Sequence, residues 1–234
     1  MRGLGTMVNV ATILAGTALG VLAGRRLREQ VRATVLAGIG LATLGVGAAS
    51  FLETGNAAFP VVAVVIGGLL GEVVGIEDGL AGLGERLRRL FARWGRRGEG
   101  SRFVEGFVVA TLTFCVGALT IVGSLQDGIR GDSQLLLVKS ALDGVAAVVF
   151  AAAYGIGVGC AALSVLVIQG LLTVLGAVAG EALLSARMVE ELEATGGLLI
   201  VGIGLRLLQI KDVRVGSLLP ALVVAPLLVA VFSR

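Results

Sequence analysis

The strongest constraint on this chain is one run, Leu135–Gly180, of about 45 residues in which Lys139 and Asp143 are the only charges. A membrane crossing takes about 20 mostly apolar residues, so the run is too long for one span and long enough for two. Gly155-Ile-Gly-Val-Gly159 supplies a tight turn between them. Composition points the same way: 56% of the 234 residues are hydrophobic, another 37 are glycine, and only 15% are charged. A soluble domain carries about a quarter charged residues and needs a far more polar shell. An ordinary cytosolic enzyme, a secreted disulfide scaffold and a disordered tail are thereby excluded. The predicted fold class is all-α: a polytopic transmembrane helical bundle.

Eight apolar segments, 16 to 23 residues long, are candidate spans: Met7–Gly24, Val31–Phe51, Ala58–Ile76, Phe103–Ser124, Leu136–Gly155, Val158–Gly180, Thr195–Ile210 and Gly216–Phe232. Basic residues test the count. With the N-terminus outside, the inward loops hold 14 of the 19 lysines and arginines, from Arg25 and Arg26 through Arg86–Arg102 to Arg206, Lys211 and Arg214. That asymmetry predicts eight spans with both termini outside. It also gives the basic balance a topological meaning, not a nucleic-acid one. The first apolar run carries Asn9 and Thr12 and has no clear cleavage site, so it reads as a span and not as a leader. Between spans three and four, Leu80, Leu83, Leu87, Leu90 and Phe91 recur at helical spacing opposite basic residues, with Trp94 at one end. This predicts an amphipathic helix at residues 79–97, either lying on the inner leaflet or capping the bundle.

The segments also echo one another. Leu19-Gly-Val-Leu-Ala-Gly24 recurs as Leu175-Gly-Ala-Val-Ala-Gly180, Gly45-Val-Gly47 as Gly202-Ile-Gly204, and Phe59-Pro60 as Leu219-Pro220. Spans one to three thus resemble spans six to eight. The offset of five spans sends the copies through the membrane in opposite directions, an inverted repeat of the kind transporters use. The expected organisation is a single membrane domain, with a first repeat at 7–76, central helices at 103–155 and a second repeat at 158–232. Glycines at small-xxx-small spacing (Gly16/Gly20/Gly24, Gly67/Gly71/Gly75, Gly176/Gly180) predict close helix seams. These seams lie either within one chain or between copies in a homo-oligomer.

Ionisable groups within spans are costly and mark function by default. Lys139 and Asp143 lie one turn apart and can pair. Glu72 falls within the third span, and Asn9 and Gln169 need polar partners. Thr113, Gly117, Thr120 and Ser124 share one helical face leading to Gln126 and Asp127. Together these predict a route for a small ion or polar solute, lined by Thr113, Thr120, Ser124, Gln126, Asp127, Lys139 and Asp143, with Asn9 and Glu72 contributed by the repeats. Each also has a structural reading: a snorkelling lysine, hydroxyls bonded to the preceding turn, an internal ion pair. The chain has no histidine, and its two cysteines, Cys115 and Cys160, sit in apolar runs without ligand spacing. No metal site, no cofactor and no enzyme chemistry is expected, and the alternative to transport is a membrane scaffold or sensor.

Gly5-Thr-Met-Val-Asn9 followed by Gly16 and Gly20, the block Phe114–Asp132, Lys139-Ser-Ala-Leu-Asp-Gly144, and Leu218-Leu-Pro220 resemble the YqgA/YdfK-type bacterial membrane proteins, domain-of-unknown-function family 554. The resemblance covers nearly the whole chain. It implies a bacterial inner-membrane location and brings no established substrate.

Overall fold

Inside a bilayer every backbone amide must find its partner within the protein, and helices solve this locally. In the computed structural model, which describes residues 2–24, 28–90, 100–115, 118–179 and 185–232, all regular structure among the described residues is helical. The elements are α1 (Leu4–Gly24), α2 (Glu29–Leu52), α3 (Ala58–Val74), α4 (Ile76–Leu90), α5 (Gly100–Cys115), α6 (Ala118–Arg130), α7 (Gln134–Tyr154), α8 (Gly157–Ala179), α9 (Ala186–Leu207), α10 (Val215–Leu218) and α11 (Ala221–Phe232). The long apolar run divides as its glycines predict. Gly155 takes φ +86°, open to glycine at little cost, and separates α7 from α8.

Among the described residues, four helical segments are long and apolar enough to cross a membrane: α1, α7, α8 and the stretch Val215–Phe232. The number rises to six if the bent pairs α3–α4 and α5–α6 each count as one span. This is fewer than the eight expected, for local reasons. The expected fourth span, Phe103–Ser124, is two helices inclined at 57°, so Thr113 does not share one continuous helical face with Thr120 and Ser124. Gly117 lies outside the described residues. The apolar part of α2, Leu36–Leu52, is short. The helix expected at Thr195–Ile210 starts instead at Ala186, where Ser185 accepts a capping bond from the Met188 N–H, and so includes Glu190, Glu191 and Glu193. Of the expected amphipathic segment, Gly84 packs towards Phe107 and Leu87 is buried, while Arg88 and Arg89 hold Glu85. Phe91 and Trp94 lie outside the described residues, as do Arg25, Arg26 and Gly180.

The helices gather into two compact units. The first comprises Met1–Leu36, Leu80–Cys115 and Leu119–Gly180. Its main seam joins α1 to α7 in parallel, because Gly16, Gly20 and Gly24 lie against the carbonyls of Gly144, Val148 and Ala152. α8 runs antiparallel to α1, with Thr17 against Gly159 and Val10 sharing a groove with Leu166. It runs parallel to α5, with Gly157 against Phe103 and the Thr111 hydroxyl 3.2 Å from that of Ser164. Gly128 and Gly176 let α6 cross α8 at Thr173 and Leu125.

The second unit comprises Ala37–Gly79, Val116–Ala118 and Glu181–Arg234. Here α2 meets α9 antiparallel. A methyl added at Gly47 would stand 2.7 Å from Val201 N, and one at Gly204 would stand 2.8 Å from Leu44 Cδ2. Likewise Gly40 meets Leu208 at 2.7 Å and Gly197 meets Phe51 N at 2.6 Å. α3 runs antiparallel to α10 and α11, with Gly67 against Ala221 and Gly71 against Ser217. The predicted glycine seams Gly16/Gly20/Gly24 and Gly67/Gly71 are therefore filled within the chain. Gly75 instead ends α3 in the left-handed conformation, φ 72°.

Because the Gly20 seam touches backbone, Gly20→Val is expected to overpack it by ~1–3 kcal/mol. Thermal unfolding in detergent reads this as a melting temperature several degrees lower. Gly45→Ala, with open space at that position, is expected to leave the melting temperature unchanged.

Candidate functional site

The close approach of α1 and α7 has a polar product. Asn9 and Thr6 lie on the buried face of α1, and Lys139, Ser140 and Asp143 on the buried face of α7. The Asn9 Nδ2 donates to Asp143 Oδ2 at 2.9 Å, and the Lys139 ammonium donates to the same carboxylate oxygen. Lys139 is 5% exposed, Asp143 6% and Asn9 not at all. Sequence spacing thus predicted the Lys139–Asp143 pair correctly, and the structure adds Asn9 as its third member. Lys139 does not snorkel to a headgroup. Ser140 donates to the Leu136 carbonyl at 2.6 Å, the ordinary fate of a helical hydroxyl.

The interior of the first unit holds further buried polar atoms that are incompletely bonded. Among the described residues, Thr6 Oγ1, Asn9 Oδ1, Thr17 Oγ1, Thr113 Oγ1, Ser124 Oγ, Thr173 Oγ1 and both amide atoms of Gln169 are buried without a hydrogen-bond partner. Gln169 is fully buried, on the α8 stripe Val158, Ala161, Val165, Gln169 and Thr173. The Thr111–Ser164 contact sets the register of α5 on α8, so Cys115 and Gln169 stand about one turn beyond it. Cys115, the last residue of α5, is buried. Gln169 and Cys115 were not predicted as site residues. The available signal was that Gln169 is the only amide side chain in Leu135–Gly180.

Other predicted site residues have local work to do. Thr120 donates to the Phe114 carbonyl at 3.0 Å, across the junction of α5 and α6. Asp127 is fully buried, and it accepts from the Gly3 N–H at 3.0 Å and the Ser133 hydroxyl at 2.9 Å. It ties the start of α1 to the α6–α7 turn. Gln126 is half-buried on α6. Glu72 belongs to the second unit, near the end of α3; its side chain is 56% exposed, and Arg214 pairs with it at 3.2 Å. The α9–α10 loop brings that arginine, a long-range partner that hydropathy does not reveal.

The second unit shows how carboxylates look when structure alone employs them. Glu191, fully buried, accepts from the Thr54 hydroxyl at 2.6 Å and from the Asn56 N–H at 3.1 Å. Glu77 accepts from Arg206 at 2.8 Å and from the Gly216 N–H at 2.6 Å. Both oxygens of each are satisfied, and each carboxylate fastens a loop.

These features define a class: a multi-pass helical membrane protein with a lysine–aspartate–asparagine triad buried at a glycine seam. The chain belongs to the family described as protein of unknown function DUF554, whose model matches residues 4–230. It is 32% identical over 222 residues to "Uncharacterized protein YqgA" of Escherichia coli, covering 95% of this chain and 94% of that one. It is 29% identical over 231 residues to "Uncharacterized membrane protein YdfK" of Bacillus subtilis, covering 97% and 96% respectively. A shorter match, 34% identical over 114 residues, covers 44% of this chain and 60% of "Putative manganese efflux pump MntP" of Syntrophotalea carbinolica. No solved structure gives a significant match.

Removing one member of a buried ion pair leaves an uncompensated charge, at a cost of about 3–5 kcal/mol. Asp143→Asn is therefore expected to lower stability by that order in thermal or denaturant unfolding. The double variant Lys139→Met with Asp143→Asn is expected to recover most of the loss. Equal stability for both variants would show that the pair is not dry.

Proposed function

We propose that this chain is a transporter or channel for a small ion or polar solute, with its route through the first unit past Asn9, Thr113, Ser124, Lys139, Asp143 and Gln169. One observation carries the proposal: the set of buried polar atoms without partners in the unit that buries the ion pair, Asn9 Oδ1 among them. A purely structural interior satisfies its polar groups, as Glu77 and Glu191 do. Leaving so many unpaired costs about 1–3 kcal/mol each unless water or a solute completes them. The partial similarity to a protein named as a manganese efflux pump supports an ion as the solute. The route has no nucleophile–base pair, so we infer that the chain is not an enzyme.

The architecture that goes with this function is an inverted repeat. Its support is that α1 pairs antiparallel with α8, α2 with α9, and α3 with α10–α11. The α2–α9 contacts also obey an exchange rule. The alignment that sets Gly47 on Gly204 sets Leu44 on Val201, and Gly47–Val201 and Gly204–Leu44 are both contacts. It sets Gly40 on Gly197 and Phe51 on Leu208, and Gly40–Leu208 and Gly197–Phe51 are both contacts. The exchange follows from the antiparallel pairing of α2 and α9, which is the pairing an inverted repeat requires of these two helices. The same reading counts α2 and α9 as crossings and gives eight spans in the inner membrane of a bacterium, with both termini outside.

A scaffold or sensor is the second reading. In its favour, Lys139 and Asp143 are paired and buried, and the groove of about 700 Å³ between α1 and α8 is lined by apolar side chains such as Leu14 and Leu163. Flux into proteoliposomes, screened across inorganic ions and small metabolites, separates the two. We expect Asp143→Asn and Lys139→Met to reduce transport of the active solute at least tenfold, with Glu72→Gln within twofold of the parent. Unchanged flux in both triad variants, or no flux of any solute, would contradict the transport reading.

A further inference from the structure

We propose that Asp143 and Asn9 form a binding site for a small hard cation, and that Lys139 fills it as a tethered counter-ion which the incoming cation displaces. The inference rests on the transport reading and names its substrate class.

The donor set points to a cation. Asp143 offers a carboxylate, and Asn9, fully buried and bonded to it through Nδ2, carries an Oδ1 that receives no hydrogen bond from any described residue. An amide oxygen beside a carboxylate is the chemistry that holds small hard cations. In this structure the positive charge at that place is the Lys139 ammonium.

Lysine, not arginine, holds the place. The chain has 17 arginines and two lysines, Lys139 and Lys211, so Lys139 is the only lysine within the apolar spans. A guanidinium grips a carboxylate through a rigid two-pronged fork, whereas an ammonium is a point charge on a flexible stem. Along α7 the acid follows the base by four residues, the weaker order for a helical pair. Side chains of a helix lean towards its N-terminus, so Lys139 reaches against that lean to meet Asp143 and gains room to withdraw when released. The carboxylate is paired with the ammonium before entry and with the cation after it, so an unpaired anion never stands in the membrane interior. The released ammonium is then one positive charge in excess, which Lys139 sheds by giving its proton to the water that enters with the cation; this balances a monovalent cation and leaves a divalent one with one net charge.

The test uses the full-length Lys211→Arg protein in detergent, which leaves Lys139 as its single lysine. Reductive methylation with ¹³C-formaldehyde is followed at Lys139 by mass spectrometry, in choline chloride and then with NaCl or MnCl₂ at constant ionic strength. Protection in choline is expected, followed by a saturable rise of at least fivefold in labelling rate with one of the two cations. A rate that responds to neither cation overturns the proposal. A second arm measures binding of ²²Na⁺ and ⁵⁴Mn²⁺ to Lys139→Met, where at least tenfold tighter binding than the parent is expected for the cation that releases Lys139. Equal or weaker binding overturns the proposal. Flux with an unresponsive Lys139 would remove this inference and leave transport standing. A responsive Lys139 without flux would leave the cation site standing and remove transport.

Discussion

Close backbone approach between α1 and α7 is the contact on which the rest of the first unit depends. Gly16, Gly20 and Gly24 present no side chain, so α1 lies directly on the carbonyls of α7. Lipid tails are as apolar as leucine, and small residues at such a seam let dispersion and short polar contacts hold helices together. The seam also sets the register that delivers Asn9 to Asp143. Packing and polar chemistry are here one feature. A bulkier residue in the ladder would part the helices and pull the amide from the carboxylate.

The two units treat buried charge differently, and the contrast gives the functional reading its force. In the second unit Glu191 holds the turn at Thr54–Asn56, and Glu77 holds the start of α10 with Arg206, so both oxygens of each carboxylate have a donor. In the first unit a lysine and an aspartate lie buried beside hydroxyls and amides without partners. Both arrangements spend desolvation energy. Glu77 and Glu191 recover it within the protein, whereas the Ser217 hydroxyl of the same unit is buried without a partner among the described residues.

Much of this was legible in the sequence where local spacing decides the outcome. A lysine and an aspartate four residues apart on an apolar helix had little choice but to pair. The glycine at 155 had to turn a run too long for one crossing. The ladders at Gly16 and Gly67 marked real seams, although only the structure shows that α7 and α10–α11 fill them. Long-range placement was not legible. Phe103–Ser124 reads as one span because no proline interrupts it, yet α5 and α6 meet at 57°. Glu72 reads as intramembrane because its neighbours are apolar, and its ion-pair partner arrives from a loop more than a hundred residues away. Gln169 stood out as polar in an apolar run, but its unbonded state depends on what the neighbouring helices bring near it.

The central claim is that the unbonded polar groups of the first unit border a route that water and solute enter. It is tested most directly by cysteine accessibility in a background carrying Cys115→Ala and Cys160→Ala. Thr113→Cys, Ser124→Cys and, as a control on the exposed face of α7, Leu142→Cys would be treated in intact membranes with a membrane-impermeant cationic thiosulfonate. The account predicts that Thr113→Cys and Ser124→Cys are modified from one side of the membrane while Leu142→Cys is not. Protection of the first two from both sides would contradict it.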